Sequence, residues 1–197
     1  MLIAVPVKPF DLAKGRLSGL LAPDTRRRLA TRTAMHVVRT ALSTGARVAV
    51  VTEAEDVASW ARAEGCRIVD DPGRGLNAAA AAAVEEADGG PWCIVHADLP
   101  LIGPVDMARV CEAVGPGAAV LCPSRDGGTN LFGAAEPLEF AYGPGSFSRH
   151  LSATAHLDRR VVVTTGTSVD IDSPADVAGA ARLPAGAWLR TFLEDEA

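Results

Sequence analysis

The chain has 197 residues, of which 48% are hydrophobic and 22% charged, close to ordinary globular usage and far from a disordered composition. A net charge of -5 speaks against a broad nucleic-acid or anionic-membrane surface, because either partner calls for a basic field. The length suits one α/β domain spanning residues 1–197.

The N-terminus, MLIAVPVKPF, has a short apolar run but no basic segment ahead of it, and no apolar stretch reaches the ~20 residues needed to cross a bilayer. A cytoplasmic protein is expected. Cys66, Cys93, Cys111 and Cys122 form no CxxC pair, and His36, His96, His150 and His156 lack zinc-ligand spacing, so buried reduced thiols are expected and no structural zinc.

The first predicted strand is Leu2–Val7. A long helix from Pro23 to Ser43 follows a loop, then a strand at Arg47–Thr52 and a helix from Glu53 to Glu64. A short strand, Arg67–Val69, leads through Asp70–Gly75 into an alanine-rich helix beginning near Asn77. Trp92–Ala97 does not alternate, which predicts a central strand buried on both faces. After Ala118–Cys122 the rhythm changes: a Gly-rich segment, SRDGGTNLFGAA, precedes AYGPGSF, a helix through His156 and a strand at Arg160–Thr164. A last helix is predicted from SPAD, with Ser173 as N-cap. This alternation predicts a Rossmann-like α/β fold with a mixed, mostly parallel sheet flanked by helices.

Four elements, two of them made of paired segments, are candidates for chemistry. VKPFDLAKGRLS places Lys8, Lys14 and Arg16 just beyond the carboxyl end of the first strand, where open α/β sheets bind ligands. The chain has seventeen arginines and only two lysines, and both lysines fall in this loop. Compact ammonium charges suited to phosphate are one reading; a solvated basic turn is the other. HADLP puts Asp98 at the end of a central strand, and SVDIDSP supplies Asp170 and Asp172 before a helix. Two such carboxylates can share Mg²⁺, although each taken alone also reads as a helix cap.

DDPGRGLNAAA offers Gly73 and Gly75 for close backbone approach before a helix N-terminus. It also matches G-x-G-x-x-A, but in the third βα turn rather than the first, which weakens a dinucleotide reading. Finally RDGGTN and GPGSF combine glycines, the Thr129 hydroxyl, the Asn130 amide and Ser146 at a helix start into a candidate anion cradle.

Taken in order, VKPFDLAKGRL, GLN, ADLPL, GGTN, GPGSF and DIDSPAD resemble the successive motifs of the phosphoenolpyruvate or 2-phospho-L-lactate guanylyltransferases of coenzyme F420 biosynthesis, from Val7 to Asp176. The resemblance implies a nucleotidyltransferase fold of the glycosyltransferase-A type. It implies GTP over Lys8, Lys14, Arg16, Gly75 and Asn77, and Mg²⁺ on Asp98 and Asp172 with Asp170 ranked behind. Lys14, Asp98 and Asp172 would carry catalysis, and Thr129, Gly143 and Ser146 would hold a small phosphorylated carboxylic acid.

Ser124 stands where the family often has an acid, and His36 where its long helix commonly has Asp. A homodimer is admitted, with neither nucleic-acid nor membrane partners. The Arg- and Ala-rich, Lys-poor composition points to a GC-rich bacterial source, and the bacterial members resembled are associated with phosphoenolpyruvate. Other acceptors (3-phosphoglycerate, molybdopterin, a sugar phosphate) and a non-catalytic nucleotide-binding regulator are the alternatives.

Overall fold

The computed structural model describes residues 1–12 and 14–196. Seven strands form one sheet: β1 Leu2–Pro6, β2 Arg47–Thr52, β3 Arg67–Asp70, β4 Trp92–Val95, β5 Ala118–Pro123, β6 Thr129–Ala134 and β7 Asp158–Val161, in the order β3-β2-β1-β4-β6-β5-β7. β6 runs antiparallel to both of its neighbours, and every other pairing is parallel. Among the described residues eight α-helices accompany them: α1 Pro23–Leu42, α2 Glu55–Ala63, α3 Leu76–Glu85, α4 Pro104–Ala113, α5 Ser146–Ala153, α6 Thr165–Ser168, α7 Pro174–Ala181 and α8 Ala187–Asp195.

Side-chain alternation sorts each strand between two cores. In β1, Ile3 and Val5 face the helices α1, α2 and α4, whereas Leu2 and Ala4 face α3 and the aromatic cluster of Phe132, Phe140 and Tyr142. β4, WCIV, is buried on both faces, as its unbroken apolar run predicts. α1 begins at Pro23, and its buried stripe of Leu29, Ala30, Thr33, Ala34, Val37, Val38 and Ala41 follows helical spacing. In α3 the small faces of Ala79, Ala80 and Ala83 let the helix lie close on Ala4, Ala49 and Val51. A third core joins α7 and α8 to Leu17, Leu29 and Leu101. No helix among the described residues is long and apolar enough to cross a membrane.

Several boundaries differ from the sequence expectation. GGTNLFGAA is not only a turn: Thr129–Ala134 forms β6, wholly buried, its strand character masked in the sequence by flanking and internal glycines. Gly133 is required by packing, since a Cβ there would lie 2.7 Å from the Trp92 carbonyl oxygen and 3.2 Å from Cys93 Cα on β4. Backbone atoms cannot swing aside, so Gly133→Ala should destabilise by about 1–3 kcal/mol, read as a lower midpoint in denaturant unfolding.

β7 starts at Asp158 and ends at Val161, and Thr164 instead caps α6, its hydroxyl accepting the Thr167 N–H. Ser173 caps α7 as predicted, with Asp176 completing a reciprocal capping box, but α8 follows, so the SPAD helix is not the last.

Candidate active site

Strand order reverses at β1, whose neighbours are β2 on one side and β4 on the other, and the loops leaving β1 and β4 meet there. A cavity of about 740 Å³ opens at this place, a size suited to a small-molecule ligand. One wall is the β1 loop with Lys8, Lys14 and Arg16, continued by Gly75 and Leu76 at the start of α3. Asp98, Asp170 and Asp172 form the floor, and Thr129, Gly143 and Ser146 form the far wall. Ten of the eleven site residues expected from the sequence thus line one space. Asn77 is the exception: its side-chain oxygen accepts the Tyr142 N–H at 2.7 Å, tying α3 to the GPGS loop.

Lys14 organises the floor. Its ammonium donates to Asp98 Oδ2 at 3.0 Å and to the Ile171 carbonyl at 2.6 Å, with Asp172 Oδ1 at 3.7 Å. The side chain is only 7% exposed. Its backbone is left-handed, φ 58 and ψ 34, a conformation that costs a non-glycine residue about 1 kcal/mol or more. The surrounding contacts therefore hold Lys14 against a local backbone preference.

The DID segment reaches the floor by simple alternation. Val169 and Ile171 are buried in the α7–α8 core, so Asp170 and Asp172 emerge on the cavity side. This run is extended but is not a strand of the sheet; Ile171 N–H donates to the Asp98 carbonyl at 3.1 Å, which sets the two acidic segments side by side.

The three carboxylates are not equivalent. Burial alone would raise the Asp98 carboxyl, but attraction to Lys14 and His96 and the Lys14 hydrogen bond hold it below its ordinary value. Its Oδ1 is buried and, among the described residues, has no hydrogen-bond partner. Asp170 is pushed up to about 6, first by burial and then by the negative charges of Asp98 and Asp172. Asp172 is 46% exposed and already answers Lys14 and the exposed Arg16, whose Nη1 lies 3.4 Å away.

An unpartnered buried oxygen next to a carboxylate that resists ionisation is a site short of positive charge. No group of three or more His, Cys, Asp or Glu residues among the described ones is placed to hold a metal ion. A pair of carboxylates would suit only a hard cation that takes its remaining ligands from water and phosphate.

The far wall departs in part from the predicted cradle. Ser146 N–H donates to the Gly143 carbonyl at 3.0 Å and Phe147 N–H to the Gly127 carbonyl at 3.3 Å, so these amides serve the turn. The Asn130 amide donates to the Thr167 carbonyl at 3.1 Å. Thr129 and Ser146 line the cavity although each is only 1% exposed, and their hydroxyls lie 3.2 Å apart.

Several lining residues were not singled out from the sequence: Asp71, His96, Asp126 and Tyr142. His96 and Tyr142 pack with ring centroids 5.4 Å apart, and neither His96 Nε2 nor the Tyr142 hydroxyl has a partner among the described residues. Asp126 sits two residues from Ser124 and hydrogen-bonds to its hydroxyl, so an acid is supplied beside the position where the resemblance found serine. His36 lies outside the cavity lining. Its Nε2 is 2.7 Å from the Ile102 carbonyl and its ring lies against Trp188, which makes it a tie between α1 and the segment after β4.

Known structures share this fold. A nucleotide-diphospho-sugar transferase from Desulfovibrio desulfuricans G20 superposes with a TM-score of 0.76 over 99% of this chain and 97% of its own, at 15% identity. A nucleotidyl transferase from Methanothermobacter thermautotroptrophicus gives 0.63 over 99% of each chain at 18% identity. These establish the fold.

In sequence, the phosphoenolpyruvate guanylyltransferase of Rubrobacter xylanophilus is 39% identical over 88% of this chain and 90% of its own length. That of Chloroflexus aggregans is 34% identical over 86% and 90%, and the 2-phospho-L-lactate guanylyltransferase of Methanocaldococcus jannaschii is 29% identical over 90% and 80%. The family described as "Guanylyl transferase CofC like" matches residues 1–192. The chain belongs to the CofC-like guanylyl transferase family.

Proposed function

We propose that this chain, as a single nucleotidyltransferase domain of the cytoplasm, transfers a guanylyl group from GTP to phosphoenolpyruvate with release of diphosphate, in coenzyme F420 biosynthesis, and that it uses Mg²⁺. The observation that carries the reading is the division of one cavity into a basic wall, an acidic floor and a hydroxyl-bearing wall. The basic wall suits a triphosphate and the opposite wall a small acid, so the two would approach each other over Asp98. Relatives named for phosphoenolpyruvate recur among bacteria, whereas the archaeal relative is named for 2-phospho-L-lactate.

In the reaction, a phosphate oxygen of the acid bonds to the α-phosphorus of GTP. The bond from that phosphorus to the oxygen bridging to the β-phosphate breaks, and its electron pair leaves with diphosphate. The acceptor phosphate is already anionic near neutral pH, so no protein base is needed. Lys8, Lys14 and Arg16 orient the triphosphate and offset its charge, while the far wall holds the acid in line.

Asp98, paired with either Asp170 or Asp172, would hold the ion. When bound, Mg²⁺ supplies charge neutralisation on the phosphate oxygens during transfer. Asp170 has the stronger claim on it than the sequence ranking gave, because it is the more buried of the two and no cation pairs with it among the described residues.

The test is to incubate the protein with GTP, Mg²⁺ and equal concentrations of phosphoenolpyruvate, 2-phospho-L-lactate and 3-phosphoglycerate, resolving products by mass. A dominant enolpyruvyl-diphospho-guanosine product is expected. A dominant lactyl or glyceryl adduct refutes the acceptor while sparing guanylyl transfer; absence of any adduct refutes both. A pocket fitted to a planar central carbon would disfavour a tetrahedral one by ~1–3 kcal/mol.

A further inference from the structure

Behind the Thr129 and Ser146 hydroxyls lies a group that this reaction scheme does not use. His150, on α5, is fully buried, its ring stacked on Phe132 with centroids 4.5 Å apart and edge-on to Tyr142 at 4.9 Å. Both ring nitrogens are engaged: Ala141 N–H meets Nε2 at 2.9 Å, and Nδ1 lies 3.0 Å from Thr129 Oγ1.

A peptide N–H can only donate, so Nε2 is the acceptor, and a neutral imidazole then carries its one hydrogen on Nδ1. Burial, followed by the charges of Arg149 and His96, pushes the ring's pKa down to about 4, which keeps it neutral in ordinary buffers. The Nδ1–H therefore donates to Thr129 Oγ1.

Counting hydrogens shows why the tautomer matters. Thr129 and Ser146 have two hydroxyl hydrogens between them, and their own contact at 3.2 Å takes one. Because His150 gives a hydrogen rather than taking one, the second stays with the pair. Among the described residues no further acceptor meets either oxygen, and both residues line the cavity. With the opposite tautomer, Nδ1 would draw off that hydrogen, and the pair would face an anion with lone pairs only.

We propose that His150 is a positioning residue for the acid subsite: its Nδ1–H, donated to Thr129, reserves one hydroxyl hydrogen of the Thr129–Ser146 pair for the carboxylate of the acceptor. The inference rests on the assignment of this wall to the phosphorylated acid. It also gives the ring two separable duties, since Nε2 holds the loop at Ala141 and Nδ1 sets the hydroxyl pair.

Two substitutions separate these duties. In His150→Asn the amide nitrogen reaches the place of Nδ1 and can donate to Thr129, giving up the Ala141 contact. In His150→Gln the amide oxygen reaches the place of Nε2 and can accept from Ala141, giving up Thr129. KM for phosphoenolpyruvate should stay within about threefold of wild type in the first and rise about tenfold or more in the second, with KM for GTP unchanged in both. Ser146→Ala, run alongside, reports on the wall itself.

If Ser146→Ala raises KM for the acid but the two His150 variants match each other or reverse order, the subsite stands and the role of His150 falls. If none of the three moves it, the assignment of this wall falls and the inference with it. Histidine-selective ¹⁵N NMR of the wild-type protein gives a check that no folding defect can blur: the Nδ1–H tautomer is expected at His150, and the Nε2–H tautomer overturns the inference.

Discussion

Asp98→Asn should fold and yet lose turnover by a factor of about 10³, roughly 4 kcal/mol of transition-state stabilisation. The amide oxygen of asparagine can still accept from the Lys14 ammonium, which keeps its bonds to Ile171 and its approach to Asp172. Removing one charge also relieves the repulsion that raises Asp170. Stability should therefore change by no more than about 1–2 kcal/mol. What is lost is the anionic oxygen, buried and unpartnered, that a hard cation would take.

Steady-state rates and calorimetric Mg²⁺ titration of the same variant check this together. Near-normal turnover would overturn the metal assignment. The same change at Asp170 should weaken Mg²⁺ at least as much as at Asp172, because Asp172 already shares two cations.

Asp170 also sets a pH dependence. Its folded pKa of about 6 stands above the ordinary 3.8, so the folded chain holds this proton more tightly than the unfolded one. Stability without metal should fall as pH rises across that window, while Mg²⁺ affinity, which needs the ionised form, should fall as pH drops through about 6.

Lys14→Ala should lose activity too, and more stability than Asp98→Asn. The ammonium is the only partner of Asp98 Oδ2 among the described residues, and Asp98 is only 26% exposed. Breaking one side of a largely buried ion pair costs up to about 3–5 kcal/mol, so a drop in melting temperature is expected beside a loss of kcat of about 10² or more.

Lys14→Arg separates the two effects, since it keeps a positive charge and should fold. Its planar fork cannot converge on Asp98 Oδ2 at 3.0 Å and the Ile171 carbonyl at 2.6 Å from one point as a tetrahedral ammonium does. Turnover should stay low while the melting temperature recovers. Full activity in Lys14→Arg would reduce the loop to generic positive charge.

Much of this molecule was legible from its chain. The strands from Leu2 to Trp92, the long helix from Pro23, the alanine-rich helix and the Ser173 cap were read correctly because apolar runs, helical spacing and capping chemistry are local signals. The lysine loop, ADLP and DIDSP stood out for a related reason: charged residues directly after apolar runs are carried to strand ends. Their meeting in one cavity follows from the reversal of strand order beside β1.

Other features depended on neighbours distant in sequence. Thr129–Ala134 became a strand because β4 and β5 leave a slot that only its small Gly133 can pass, and no propensity reports a slot. His96, Asp126 and Tyr142 lie inside the HADLP, RDGGTN and AYGPGSF segments but carry no signal of their own there, and only the sheet and its loops show that they reach the cavity. The sequence by itself thus determined the element types from β1 to β4 and the candidate residues for phosphate and a cation, because those depend on side-chain chemistry and short-range periodicity. Only the tertiary structure decided which carboxylate is left short of positive charge and which nitrogen of His150 carries the hydrogen, because both depend on burial and on partners 9 to 157 residues away along the chain.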